Sequence, residues 1–347
     1  MNTRTVVIAA ALVAALARPG SGQAQVQTQT QAQAQAAARP RIGGYLSLEY
    51  IKGQPESAFS HGAIENLLAG VLVGGTIGQK FGFAAEVQAH GVDTFSLNQA
   101  WAGFLPSQAF TVRAGLFLVP FGAWNTASRP YETVLIRTPL DLESLYPSSW
   151  RDLGVLVQGQ IGVLSYSGYV SNGLAETPGD TTLAYVQQFR DNNSDMAKGG
   201  RIGFVAGQAI QGGVSYYSGK YDDQNMRDLT LEGADFSWVT DQWEVHGEYA
   251  KALVENPQPY PKGETEGWHV WACMSFKGLQ PVGSFQKVRM TDIYHNGGVD
   301  LDRRRWSAGL RYVLSQTLFV KFEYDWNKEK GTPLKNNQWQ VQLGLSF

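Results

Sequence analysis

From Arg41 to Phe347 the chain repeats one pattern, runs of roughly ten residues in which apolar and polar side chains alternate, separated by turn residues. The closing segment, NNQWQVQLGLSF, shows it without a slip. Trp339, Val341, Leu343, Leu345 and Phe347 share one parity; Gln338, Gln340, Gln342, Gly344 and Ser346 share the other. Successive side chains of a strand point to opposite faces, so this segment has one apolar face and one wet face. RIGGYLSLEY divides likewise, with Ile42, Leu46, Leu48 and Tyr50 against Tyr45, Ser47 and Glu49. KFGFAAEVQAH sets Phe81, Phe83, Ala85 and Val87 against Lys80, Glu86, Gln88 and His90. FTVRAGLFLVPFG sets Val112, Ala114, Leu116 and Leu118 against Thr111, Arg113 and Gly115. WSAGLRYVL and LFVKFEYDW follow, with Arg311, Lys321, Glu323 and Asp325 on the polar side. LEGADFSWV changes phase near Gly233, which predicts a bulge, and LQPVGSFQKV is ambiguous.

About sixteen such segments can be counted, an even number within the range of bacterial outer-membrane barrels. The connections sort by length: GQK, PSQA, GV, GQAIQ, DQ, KG and SQ take turns with GQPESAFSHG, NGLAETPGDTTLAYVQQFRDNNSDMAK, ENPQPYPKGE and DIYHNGGVDLD. Strands that cross the outer membrane end alternately in short periplasmic turns and long outer loops. A soluble sandwich has the alternation but no reason for this sorting. Trp268, Trp306, Trp326 and Trp339 have apolar-face parity at the long-loop ends, as expected of rings at the lipid–water boundary, with Phe276 and Phe347 at the opposite rim. The expected fold is all-β, a transmembrane antiparallel β-barrel whose polar face lines a lumen.

Composition agrees. Charged residues make up 17% of the chain, below the roughly 25% usual in soluble domains. The net charge is −2, and the longest basic run is Arg303, Arg304 and Arg305, so nucleic acid is not an expected partner. Arg304 has outward parity and is placed to meet lipopolysaccharide phosphates. The one cysteine, Cys273, excludes an intrachain disulfide and a metal site of paired thiolates. The start, MNTRTVVIAAALVAALA, has a basic residue, a short apolar run and small-residue endings, and reads as a signal peptide within residues 1–24, cut after Ala17 or Ala24. The Gln/Ala-rich stretch 25–40 lacks large apolar residues and reads as a low-complexity tether. Residues 41–347 are then the barrel domain, destined for the bacterial outer membrane.

One connection stands apart. Between Gly122 and Asp152 it carries Arg129, Arg137 and Arg151, with Glu132, Asp141 and Glu143 among the acids, and apolar residues Val134, Leu135, Ile136, Leu140, Leu142 and Leu145. Loops of this length are usually functional. An exposed loop has no use for such anchors; one folded into the barrel does, and its charges would then narrow and tune a channel. An external lid is the alternative. By parity the lumen would also carry Lys80, Arg113, Arg201, Lys287, Arg289, Arg305, Arg311 and Lys321 against Glu49, Glu86, Glu244, Glu248, Glu323 and Asp325, a slight basic excess. The expected constriction set is Arg113, Arg129, Glu132, Arg137, Asp141, Glu143, Arg311, Lys321 and Glu323. His61, His90, His246, His269 and His295 lack metal-ligand spacing, and neither a GxSxG elbow nor an HExxH helix is present. Glu244, His246 and Glu248 share one face of a strand and read as a polar lumen row. No catalytic residue, metal or cofactor is expected.

RAGLFLVPFGAWN, SSWRDLGVLVQGQIGVLSYSGYVSNG and EGWHVWACMSF, in that order, resemble the phosphate-selective porin O and P family over most of Arg41–Phe347. The resemblance implies a sixteen-stranded, usually trimeric outer-membrane diffusion channel, with Pro120, Phe121 and Gly122 launching the third loop and the segment Arg151–Gly154 ending it. Phosphate selectivity in that family depends on basic pore residues, whereas this lumen is mixed in charge. The expected function is passage of small hydrophilic solutes or ions with at most a modest anion preference; a barrel hydrolase or an adhesin is the alternative. The terminal Phe347 resembles the carboxy-terminal signal read by barrel-assembly machinery. Its removal should lower the amount of heat-modifiable protein recovered from outer membranes, and unchanged recovery would make the ending incidental.

Overall fold

Strands account for nearly all the regular structure, as the alternation requires. The computed structural model describes residues 40–347 apart from 148, 177–184, 208, 292–293, 295–299 and 332–333. The expected signal peptide, its cleavage sites, nearly all of the tether and His295 lie outside the described residues. In chain order the strands are β1 (Arg41–Gly53), β2 (Ala63–Ile77), β3 (Phe81–His90), β4 (Thr94–Ser107), β5 (Phe110–Leu118) and β6 (Arg151–Ile161). Then come β7 (Leu164–Ser171), β8 (Leu174–Glu176), β9 (Tyr185–Gln187), β10 (Ala197–Ala206), β11 (Ile210–Lys220) and β12 (Asp228–Val239). The last are β13 (Trp243–Val254), β14 (Gly263–Met274), β15 (Leu279–Met290), β16 (Leu301–Val313), β17 (Leu318–Glu329) and β18 (Gln338–Ser346). Sixteen of them close an antiparallel barrel in which β10 follows β7 and β18 returns to β1. The remaining two, β8 and β9, pair as a small hairpin within the long connection after β7, which the sequence pattern treats as loop.

Closure is tight at the terminal seam. β1 and β18 pair without a register break from Tyr45↔Ser346 to Gly53↔Gln338. Beyond that ladder Gly44 N–H donates to the Phe347 carbonyl at 3.0 Å, and Phe347 N–H donates back to Gly44 at 2.9 Å. The Phe347 ring lies across Gly44, where a Cβ would come within 2.5 Å of its Cζ. The terminal phenylalanine therefore covers the start of β1 from the outside.

Facing follows the parity of the sequence. Ile42, Leu343 and Phe322 are exposed on the barrel's outside, while Glu49, Gln340, Lys321, Glu323 and Asp325 are buried on the inside. Bulges interrupt the pairing of β1 with β2 near Ser47, of β3 with β4 near Glu86, and of β4 with β5 beyond Phe104. The bulge expected near Gly233 is absent: β12 keeps unbroken register with β11 and β13 on both sides of it. The apparent phase change arises because Leu229 and Leu231 point inward and are fully buried there. Lys287 and Arg289 are also corrected. On β15 the inward set is Val282, Ser284, Gln286 and Val288, so both cations face outward with Phe285. Lys80 sits exposed in the β2–β3 turn rather than in the lumen.

The expected aromatic rim is present along β14–β18. Trp268 and Phe285 lie 5.0 Å apart, Phe285 and Trp306 4.2 Å, and Trp306 is the cross-strand partner of Trp326. Tyr50 continues the band against Trp339 at 5.2 Å. The outer face of β3–β6 differs, with Ala85↔Ala100 and Ala102↔Ala114↔Val155 in register and no tryptophan. Substitution Gly44→Val should push the Phe347 ring off the seam. The expected result is a lower temperature for conversion of the compact gel form to the unfolded one, read by heat-modifiable electrophoresis.

Candidate functional site

The connection from β5 to β6 makes its contacts with inward-facing side chains around the barrel. Its two ends are clamped together by Asn125, whose amide donates to the carbonyls of Val119 at 2.8 Å and Trp150 at 2.7 Å and accepts from Trp150 N–H at 2.7 Å. At Gly122 the backbone takes φ +64°, its N–H meets Ser215 Oγ at 3.0 Å, and a Cβ would overlap the Glu248 carboxylate. That close approach requires glycine. Glu248 accepts from Ala123 and Trp124 N–H at 3.0 and 3.1 Å and from the Tyr146 hydroxyl at 3.3 Å.

Apolar packing holds most of the segment. Phe121, Tyr146 and Trp150, with Leu142 and Leu145 of the short helix α1 (Leu142–Leu145), join Leu156, Tyr169, Tyr217, Leu229, Leu231, Ala250 and Ala252 of the wall in one buried cluster. Trp150 is fully buried, 5.8 Å from Phe121 and 5.1 Å from Tyr217 by ring centroid. A second cluster sets Val134 and Leu135 on Trp271, Cys273 and Val282. The half of the lumen bounded by β5–β15 is thus filled like a protein core, with a segment of the chain as its inner layer.

Polar groups fix the rest. Arg129 bridges Glu86 at 2.6 Å and Glu132 at 3.1 Å. Arg311 donates to the Tyr131 carbonyl at 3.0 Å, Lys321 to Thr133 Oγ1 at 3.1 Å and the Leu135 carbonyl at 3.2 Å, and Glu323 accepts Ile136 N–H at 2.7 Å. Asp141 pairs with His269 at 3.0 Å, both buried. Glu143 meets Arg137 at 2.9 Å and Arg305 at 3.4 Å. Burial works against the Glu143 charge, but those two guanidiniums outweigh it and hold the carboxyl below its ordinary range. At Glu132 burial, with the Glu86 charge acting in the same direction, outweighs Arg129, and the carboxyl is pushed up. Arg113 stands apart on β5, over the Trp101 ring at 4.3 Å, with its buried Nε unpartnered.

Of the expected site residues, Asp141, Arg311, Lys321 and Glu323 tie the segment to the wall, Arg129 and Glu132 form a network with Glu86, and Arg137 and Glu143 border open space. That space is a cavity of about 560 Å³ between the segment and β1, β2 and β18, where Glu49, Glu65, Asn66, Gln340 and Gln342 face Arg137 and Glu143. Sequence reasoning singled out neither Asn125 nor the Asp141–His269 pair, whose members are 128 residues apart and share no local signal. Among the described residues no serine or cysteine side chain bonds to a histidine; His246 stacks flat on Trp271 at 4.0 Å.

No protein-family model matches the sequence. A curated relative, an uncharacterised protein of Aquifex aeolicus (strain VF5), is 25% identical over 232 residues, 62% of this chain. The match takes in 53% of that relative, so the chain spans about half its length. Among solved structures, OmpF of Salmonella typhi in complex with daunomycin aligns with a TM-score of 0.67 at 13% identity, covering 89% of this chain and 97% of that one. An anion-selective porin from Comamonas acidovorans aligns at 0.65 with 12% identity, covering 89% and 98%. At such identity the likeness is one of fold: the chain has the sixteen-stranded barrel of bacterial outer-membrane porins.

The clamp at Asn125 gives a direct test. Asn125→Ala would leave the Trp150 N–H unpaired, worth about 1–3 kcal/mol when stranded. It would also take one of two donors from each of the Val119 and Trp150 carbonyls, which keep Phe121 N–H and Val119 N–H. Denaturant or thermal unfolding in detergent should show a loss of at least that size, with the β-rich circular dichroism of the barrel kept at low temperature.

Proposed function

We propose that this chain is an outer-membrane diffusion porin for small hydrophilic solutes and ions, and that the 560 Å³ cavity beside the β5–β6 segment is the narrow part of its passage. The observation that carries the reading is the one-sided filling of the lumen. Apolar clusters hold the segment against β5–β15, and the polar wall of β1, β2 and β18 is left facing open space. Residues Arg137 and Glu143 on the segment and Glu49, Glu65 and Asn66 opposite would then be the charges and dipoles a passing ion meets.

Charge discrimination in such a passage is weak, because Arg129, Arg137, Arg201 and Arg305 each lie within ion-pair distance of a carboxylate. The modest anion preference expected from the sequence then rests on Arg113 and Arg311, which have no carboxylate at that distance among the described residues. The motifs shared with phosphate-selective porins support the anion side of this reading, and the paired arginines argue against strict phosphate selection. The tryptophan-free outer face of β3–β6, with its register of alanines beside the Phe81–Phe104 pair, supports a subunit contact there in a homotrimer, with β14–β18 turned to lipid.

Planar-bilayer recording tests the function. Discrete conductance steps are expected, with a small reversal potential of anion sign under a KCl gradient. Arg113→Ala with Arg311→Ala should move it toward cations, while Glu49→Gln with Glu143→Gln should move it the other way. Protein that folds but gives no steps would refute the channel. A wild type that prefers cations would refute the anion preference alone.

A further inference from the structure

Three cations on the outside of the barrel share one row. Lys287 of β15 is the direct cross-strand partner of Arg304 of β16, and Arg304 is the partner of Lys328 of β17. Direct partners on one face have Cβ atoms about 4.5–5.5 Å apart, and like charges placed so destabilise a sheet. Elsewhere on the same rim the outward lysines are matched, Lys220 with Asp228 at 2.7 Å and Lys251 with Glu264 at 2.8 Å. Neither Lys287 nor Lys328 has an ion-pair partner among the described residues, and Arg304 has only Asp302, at 3.7 Å. The next row toward the loops is Glu266, Arg289 and Asp302 in register, so four cations face two acids. The residual charge is positive and concentrated.

The row directly below it, toward the membrane, is Val270, Phe285, Trp306 and Trp326. Cations thus stand one register step above a continuous aromatic floor, an arrangement fitted to a molecule with an anionic head and hydrocarbon tails. From Lys287 to Lys328 the row crosses two strand spacings, about 10 Å, more than one phosphodiester spans. We propose that the outer face of β14–β17 binds the lipid A part of lipopolysaccharide, its phosphates held by Lys287, Arg304 and Lys328 and its acyl chains laid on the ring row. This goes beyond solute passage and rests on the long-loop rim lying in the outer leaflet.

The test uses full-length protein purified in mild detergent and native mass spectrometry with three probes: bis-phosphorylated lipid A, the same lipid dephosphorylated, and phosphatidylglycerol. Wild type should retain bis-phosphorylated lipid A at least tenfold more than either other lipid. Lys287→Gln/Arg304→Gln/Lys328→Gln should lose that excess, and Lys251→Gln should keep it. Should the triple variant fold poorly, Lys287→Gln/Lys328→Gln is expected to lose most of it. Equal retention by wild type and variant overturns the proposal, and so does equal retention of phosphatidylglycerol. Conductance steps read the lumen separately: the triple variant should keep them, so lipid loss with intact steps bears on the outer face and not on the channel.

Discussion

Everything in this structure depends on closure of the sheet. Hydrocarbon offers no hydrogen-bond partners, so a spanning strand with a free edge would strand a row of N–H and C=O groups at several kcal/mol each. The seam between β1 and β18 removes the last two edges, and the paired backbone of Gly44 and Phe347 extends it past the regular ladder. Once the ring is closed every strand has one side toward the outside and one toward the lumen, and the two-residue period of the sequence follows.

The lumen obeys a second rule that the first does not dictate. A sixteen-stranded ring is too wide for wall side chains alone to fill. Here one half is packed by a returning segment, with Phe121, Leu145 and Trp150 against Tyr217, Leu229 and Leu231. The other half keeps its glutamines and acids. The ion pairs inside tie particular loop residues to particular strands. Their net worth is small wherever desolvation offsets attraction, so apolar burial carries the segment and the pairs set where it lies.

Much of the barrel is legible in the sequence because lipid imposes one pattern on nearly every strand. The parity of β1, β16, β17 and β18, the sorting of turns and the tryptophan rim all come from that single cause. Legibility fails where the lumen is not wet. Leu229 and Leu231 look like a phase change near Gly233 because their inward face meets protein, and Lys287 and Arg289 look like lumen residues because the outer rim of β15 tolerates charge. The buried anchors of the β5–β6 connection are visible as apolar residues in a loop too long to be idle. Their partners are not, since Asp141 finds His269 and Arg129 finds Glu86 only after the ring has closed.

The off-centre cavity separates two kinds of sequence freedom. The apolar residues that pack on the segment lie on β5–β15, whereas Glu49, Asn66, Gln340 and Gln342 lie across open space and support little of that packing. Exchange of a carboxylate for an amide, or an amide for a cation, on β1, β2 or β18 leaves the apolar clusters untouched. Descendants of this chain can therefore diverge in the charge that lines this open space while inheriting the same partition, and variation between them should gather on one wall.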